Sequence, residues 1–303
     1  MQRPLSRSQA NLMLIIVAFA WGFGFVPQKF AAAYLGPLSF NALKFLFGAL
    51  VISPLVWREW RGLVQRQATP SRKDWRQIAL MGALLAVGSV CQQQGVAATT
   101  VTNAGFLTCL YVPVVPLIAW LLYRKRAHWV VWPAGLACIV GTWMLTGAGK
   151  PSLNLGDAWV LASVIPFALH VLWIGALADK LGAPLMTAWG QFVVCGLITG
   201  VLAVPLESFD WANTAHVVAP LAYMSIVSVG IGFTGQVIAQ RFSRPAEAAI
   251  ILSSESVFSA IAGAALLHDR LDAIGYLGCV LIFAGIVLVQ ILPANQTPLI
   301  ELH

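Results

Sequence analysis

Apolar residues in this chain follow neither the alternation of a half-buried strand nor the one-sided stripe of a surface helix. They come in long runs separated by short polar breaks. A helix rising 1.5 Å per residue needs about 20 such residues to cross ~30 Å of hydrocarbon. Ten stretches meet that length: 11–34, 38–57, 76–97, 101–122, 129–147, 157–178, 184–206, 215–239, 246–267 and 273–292. The pattern predicts an all-α polytopic membrane protein with ten transmembrane helices. The connections are short, the longest being a basic loop from Trp57 to Trp75.

The runs also repeat. Residues 88–145 align with residues 232–289 at a constant shift of 144 without a gap, pairing Gly88 with Gly232, Gln92 with Gln236, Ala104 with Ala248, Leu122 with Leu266, Arg126 with Arg270 and Gly141 with Gly285. Identity is low, and the shared register of spans, breaks and charged ends carries the comparison. Earlier in each half, Leu35–Phe45 resembles Leu181–Phe192 with one insertion, which sets Lys44 against Gln191. The chain therefore divides into two halves of five spans, 1–149 and 150–303. Because five is odd, the second half enters the membrane from the opposite side, giving two inverted five-helix repeats.

Composition and charge sharpen this picture. With 59% hydrophobic and 10% charged residues and a mean hydropathy of +0.81, the chain belongs to the class dissolved in lipid. The net charge of +7 is unevenly placed. With the N-terminus inside, Arg3, Arg7, Arg58, Arg61, Arg66, Arg72, Lys73, Arg76, Arg124, Lys125, Arg126, Lys180, Arg241 and Arg244 fall on the inner side, and only Lys150 and Arg270 on the outer. This bias predicts cytoplasmic termini in the cell inner (plasma) membrane and makes a nucleic-acid partner unnecessary. The first apolar run follows two arginines and ends near Ala31-Ala32-Ala33, yet it is long and has a counterpart in the second half, so it reads as a retained helix. All five cysteines lie inside spans, as packing residues rather than a disulfide framework. Nothing in the sequence speaks to oligomeric state.

Helix-breaking residues mark candidate hinges. Pro27 follows Trp21-Gly22-Phe23-Gly24 in the first span, Pro166 lies in its counterpart, and Pro113 and Pro116 interrupt the fourth. Freed carbonyls at such kinks favour a wet interior. Tryptophans at 57, 60, 75, 129, 132, 159 and 211 lie near span ends, as in an interfacial belt, while Trp21, Trp120, Trp143, Trp173 and Trp189 lie deeper. Gly196 and Gly200 form a GxxxG suited to close helix packing.

Charges inside spans need a reason, since each costs roughly 2.5–3.5 kcal/mol near a helix centre. Lys29 is near enough to an end to snorkel, and Glu247 lies at the inner end. Lys44 lies about seven residues into its span, and His170 is deep in the sixth. Glu255 stands mid-span within Ser253–Ser256 and has no route to water, so it serves either as a structural hydrogen-bond partner between helices or as a functional, possible proton-coupling carboxyl. Among neutral polar residues, Gln92 to Gln94 sweep about 200° of helix surface, so at least one faces inward, and the repeat singles out Gln92 and Gln236. Asn41, Thr108, Tyr111 and Gln240 add donors and acceptors. HExxH, CxxC and P-loop motifs are absent, so the sequence predicts no enzyme, metal or cofactor, and no ATP-driven pumping by this chain alone.

These residues also resemble a family. Trp21-Gly22, the stretch GVAATTVTNAGFLTCLYVPVVP from Gly95 to Pro116, and SSESVFSAIAGAALLHDRLDAIGYLGCVLIFAG from Ser253 to Gly285 are similar to the EamA-type transporters of the drug/metabolite transporter superfamily. Ser256 stands where that pattern usually has proline, and Asp269 where it usually has glutamate. The resemblance covers nearly the whole chain and implies ten helices in inverted repeats and movement of metabolites, often export of amino acids.

The expected function is export of a small-molecule substrate, foremost an amino acid, by alternating access within the lipid bilayer. A zwitterion needs a cation for its carboxylate and an acceptor for its ammonium, which Lys44 and Glu255 supply. Trp21, Trp173 and Tyr111 offer surfaces for its side chain, and Asn41, Gln92, His170, Gln191 and Gln236 the remaining polar contacts. An exporter of drugs or quaternary ammonium compounds is the alternative on the same fold.

Overall fold

The computed structural model describes residues 5–124, 127–145, 154–208, 210–266 and 273–291. Arg3, Lys125, Arg126, Lys150, Asp269 and Arg270, which entered the sequence argument, lie outside them. The described residues form α1 (Arg7–Ala31), α2 (Pro37–Gln65), α3 (Arg72–Ala98), α4 (Val101–Thr108), α5 (Tyr111–Tyr123), α6 (Val131–Leu145), α7 (Leu155–Leu181) and α8 (Pro184–Leu206). After the short α9 (Trp211–His216) and α10 (Val218–Ala222) comes a π-helical segment, Tyr223–Phe233, then α11 (Thr234–Gln240), α12 (Pro245–Leu252), α13 (Glu255–Leu266) and α14 (Ala273–Ile291).

Taken across their breaks, eight units are long and apolar enough to cross a membrane: α1, α2, α3, α4–α5, α7, α8, α10–α11 with the π segment, and α12–α13. The other two expected spans contain the shorter apolar helices α6 and α14. The basic loop expected from Trp57 to Trp75 is mostly helix. α2 runs to Gln65 and α3 begins at Arg72, so only residues 66–71 join them. At 29 residues α2 is ~43 Å long, and its polar last turns extend past the ~30 Å of hydrocarbon. Hydropathy marks where lipid ends, not where the helix ends.

The two broken units break alike. α4 stops at Cys109-Leu110, where Leu110 N donates to Leu107 O and Val112 N to Cys109 O. α12 stops at Ser253-Ser254, where Ser254 N donates to Ile251 O and Ser256 N to Ser253 O. Adding 144 to the first set of residue numbers gives the second. The second break forms although Ser256 replaces the proline usual there. Hydroxyls do the work, with Ser253, Ser254, Ser256 and Ser259 each bonding the carbonyl three residues back at 2.6–2.9 Å, a competition that bends helices. The two breaks touch, Cys109 Sγ lying 3.4 Å from Ser253 O. α6 and α14 also pack along matching residues. A Cβ added at Gly141 would stand 2.5 Å from Gly278 O, and one at Gly285 would stand 2.8 Å from Ala134 O.

Two carboxylates missed in the sequence tie α2 to α8. Neither helix has a side-chain cap at its own N-terminus. Glu207, just past α8, accepts from Leu38 N and Ser39 N, both at 2.8 Å. Glu59, near the far end of α2, accepts from Leu185 N at 3.3 Å and Met186 N at 2.7 Å. Each helix thus carries, at or near its C-terminal end, the acid that satisfies the first free N–H groups of the other. Glu59→Ala or Glu207→Ala is expected to cost about 1–2 kcal/mol, seen as a lower Tm in detergent; unchanged Tm in both would mean the contacts carry no stability.

Candidate functional site

A cavity opens where the broken units meet α1, α2, α3, α7 and the π segment. Its lining draws evenly on both halves of the sequence. From the first come Trp21, Phe25 and Gln28 of α1, Lys44 of α2, Ser89 and Gln92 of α3, Thr108 of α4 and Tyr111 of α5. From the second come Phe167, His170 and Val171 of α7, Met224, Ser228 and Phe233 of the π segment, Gln236 of α11 and Glu255 of α13.

Eight residues singled out in the sequence meet here: Trp21, Lys44, Gln92, Thr108, Tyr111, His170, Gln236 and Glu255. Tyr111 and Glu255 are the first residues after the two breaks and are related by the shift of 144. The helix interruptions therefore explain why both side chains face the centre. Lys44 is 3% exposed, and its Nζ lies 5.3 Å and 5.0 Å from the ring centroids of Phe40 and Phe45. Among the described residues no carboxylate pairs with it. Glu255 is also 3% exposed, and its Oε1 has no hydrogen-bond partner. Tyr111 OH, Gln28 Oε1 and Gln236 Oε1 are buried and unpartnered in the same way. Buried polar atoms are normally satisfied, so these four open valences leave the cavity with polar groups free to meet a solute.

Other polar groups are already engaged. Gln92 Nε2 donates to Thr108 Oγ1 at 3.2 Å, and Trp21 Nε1 to Ser228 O at 3.2 Å. Phe233 is the aromatic hub, with the rings of Trp21 at 4.6 Å, Phe45 at 5.7 Å, Phe192 at 6.2 Å and His170 at 6.4 Å. It stands at the end of the π segment, an irregularity that frequently accompanies functional sites. Beyond His170, its Nε2 and Gln191 Oε1 lie 2.6 Å apart, so Gln191 backs the histidine rather than lining the cavity.

Two further candidates lie outside the lining. Asn41 Nδ2 bonds the carbonyls of Pro37 at 2.7 Å and Ser89 at 3.2 Å, which braces α2 against α3. Trp173 Nε1 donates to Tyr123 OH at 2.8 Å. Lys29 caps the end of α3 through the carbonyls of Ala97 at 2.9 Å and Thr99 at 2.8 Å, and Glu247 pairs with Arg7 at 3.2 Å. Of the three glutamines, Gln93 is buried against Gln28 O at 3.0 Å. Among the deep tryptophans, Trp120 and Trp143 are exposed on the outer face. Pro27, Pro116 and Pro166 lie within continuous helix, and Pro113 in the first turn after a break. A Cβ at Gly196 would meet the Leu46 side chain at 2.6 Å, in keeping with close packing of α8 on α2.

A known structure shares this fold. A solved crystal structure with 17% sequence identity matches at a TM-score of 0.76 over 93% of this chain and 96% of the other, and so has the same fold. An uncharacterized transporter of Archaeoglobus fulgidus is 27% identical over 287 residues, covering 95% of this chain and 87% of its own. The EamA-like transporter family profile matches residues 8–147 and again residues 154–291. With both matches spanning most of its length, this chain belongs to the EamA-like transporter family.

Proposed function

We propose that this transporter exports small metabolites, foremost amino acids including aromatic or large neutral ones, from the cell across the inner membrane. It works by alternating access through the cavity between two inverted five-helix repeats. One observation carries the reading: Lys44 and Glu255, both buried and, among the described residues, neither paired with an opposite charge, line one cavity together with orphaned polar atoms. Lys44 receives the substrate carboxylate and Glu255 its ammonium. Trp21, Phe25 and Phe233 supply ring faces for the side chain. The matched breaks, the contact between them and the paired glycine approaches of α6 and α14 support the inverted repeat, with residues 1–149 and 150–303 as its halves. Alternation rocks one half against the other, with Pro27, Pro113, Pro116 and Pro166 as hinges and Glu255 as the group that couples to protons.

The same aromatic wall with Glu255 also suits a quaternary ammonium compound, which would need no partner for Lys44. Counterflow in proteoliposomes separates the two. Labelled amino acids are expected to exchange saturably, with aromatic and large neutral competitors strongest. Exchange of tetraalkylammonium ions with none of any amino acid would overturn the zwitterion reading.

A further inference from the structure

Away from the cavity, the outer face of the bundle carries a second recess. Trp57 and Trp60 of α2, Trp75 of α3, and Met186 and Trp189 of α8 wall an open space of about 690 Å³. Its little polar capacity is spent internally. Trp189 Nε1 donates to Ser53 Oγ at 3.1 Å, and Ser53 Oγ to Ala49 O at 2.8 Å. What faces the space is ring surface and thioether. Interfacial anchoring accounts for a tryptophan at a helix end, but not for four rings from three helices arranged around an open recess.

The charges at its rim give the occupant a head as well as a tail. Arg61 is one turn beyond Trp57 on α2, with its guanidinium 4.9 Å from the Trp57 ring. Arg72 is one turn before Trp75 on α3, so both cations lie outward of the rings, toward the same end of the bundle. Neither nearby carboxylate neutralises them. Glu59 is engaged with the N–H groups of α8, and Asp74 with Ser71 and with Lys180 at 3.4 Å. An apolar recess along the shaft with unneutralised cations at its outer rim is complementary to an amphiphile with a fatty tail and an anionic head.

We propose that this recess binds an acyl chain of an anionic phospholipid whose phosphate is held by Arg61 and Arg72. With cytoplasmic termini the site lies in the inner leaflet, where anionic lipids face the protein. The site is independent of the transported cargo and holds whichever solute occupies the central cavity.

Native mass spectrometry of the full-length protein, released from micelles containing equimolar phosphatidylglycerol and phosphatidylcholine, tests it. Phosphatidylglycerol is expected to be retained over phosphatidylcholine, with each of the two cations contributing roughly fivefold. Arg61→Gln with Arg72→Gln, at exposed positions that leave the core untouched, brings the ratio to near one. Trp57→Ala with Trp189→Ala lowers retention of both lipids. Equal retention by the unaltered protein would overturn the proposal, as would a preference unchanged in the double arginine variant. So would displacement of the lipid by inorganic phosphate alone, or a dimer with no lipid bound, meaning that a second copy covers the recess.

Discussion

Lys44→Ala is expected to weaken carboxylate-bearing substrates by about tenfold to a hundredfold, the loss of one charge-assisted hydrogen bond worth 1.5–3 kcal/mol. Analogues without the carboxylate should change by no more than a few fold. The asymmetry follows from the site, since Lys44 has ring faces beside it and no carboxylate of its own, so its charge is open to a solute. Stability should not fall, because removing a buried, unpaired cation relieves a desolvation cost. Competition in counterflow by amino acids and by the corresponding amines measures the difference. Equal loss for both would remove Lys44 from carboxylate binding.

The second large effect is steric. Gly22 lets α1 lie directly on α13, and a Cβ there would stand 2.5 Å from Glu255 O, 2.5 Å from Phe258 Cβ and 2.9 Å from Ser259 N. Backbone atoms cannot rotate aside, so Gly22→Val must push the helices apart, at an overpacking cost of about 1–3 kcal/mol, and must move Glu255. Transport should fall more than about tenfold even in protein that still folds, the factor that 1.4 kcal/mol represents. Gly24→Ala, two residues on, is the control. Its Cβ would meet only side-chain atoms, the nearest being Met224 Sδ at 3.3 Å, and methionine adapts. Its transport and Tm should stay near those of the unaltered protein, and similar losses in both variants would contradict the assignment.

Much of this architecture was legible because lipid simplifies the code. Backbone polar groups must be satisfied within each span, so a long apolar run in an α-helical chain means a helix. The helix ends were less legible. α2 continues through Arg58, Glu59 and Arg61, because helix formation does not stop where lipid does. Within the site, the residues found were those with a charge or a repeat partner, such as Glu255 and Gln236. Several of those missed were one or two turns away on the same faces. Phe25 and Gln28 follow Trp21 at i+4 and i+7, Phe167 precedes His170 by three, and Ser89 precedes Gln92 by three. Phe233 is the mate of Ser89 at the shift of 144, and since neither is charged and only one is polar, the repeat did not single out the pair. No sequence pattern pointed to the π segment, which contains no proline. Asn41 and Gln191 illustrate the opposite limit. Polarity marks a buried side chain that needs a partner, but not whether that partner is a helix neighbour or a solute.

Alternating access requires the cavity to open in turn to both sides and to hold the substrate when it does. Ser228→Cys, in a variant with the five native cysteines replaced, places one thiol in the lining. In oriented proteoliposomes, a membrane-impermeant thiol reagent should label it from either side, and a transported amino acid should slow labelling from both sides with the same half-effective concentration. Labelling from one side only, or labelling that no amino acid slows while transport continues, would contradict alternating access through this cavity.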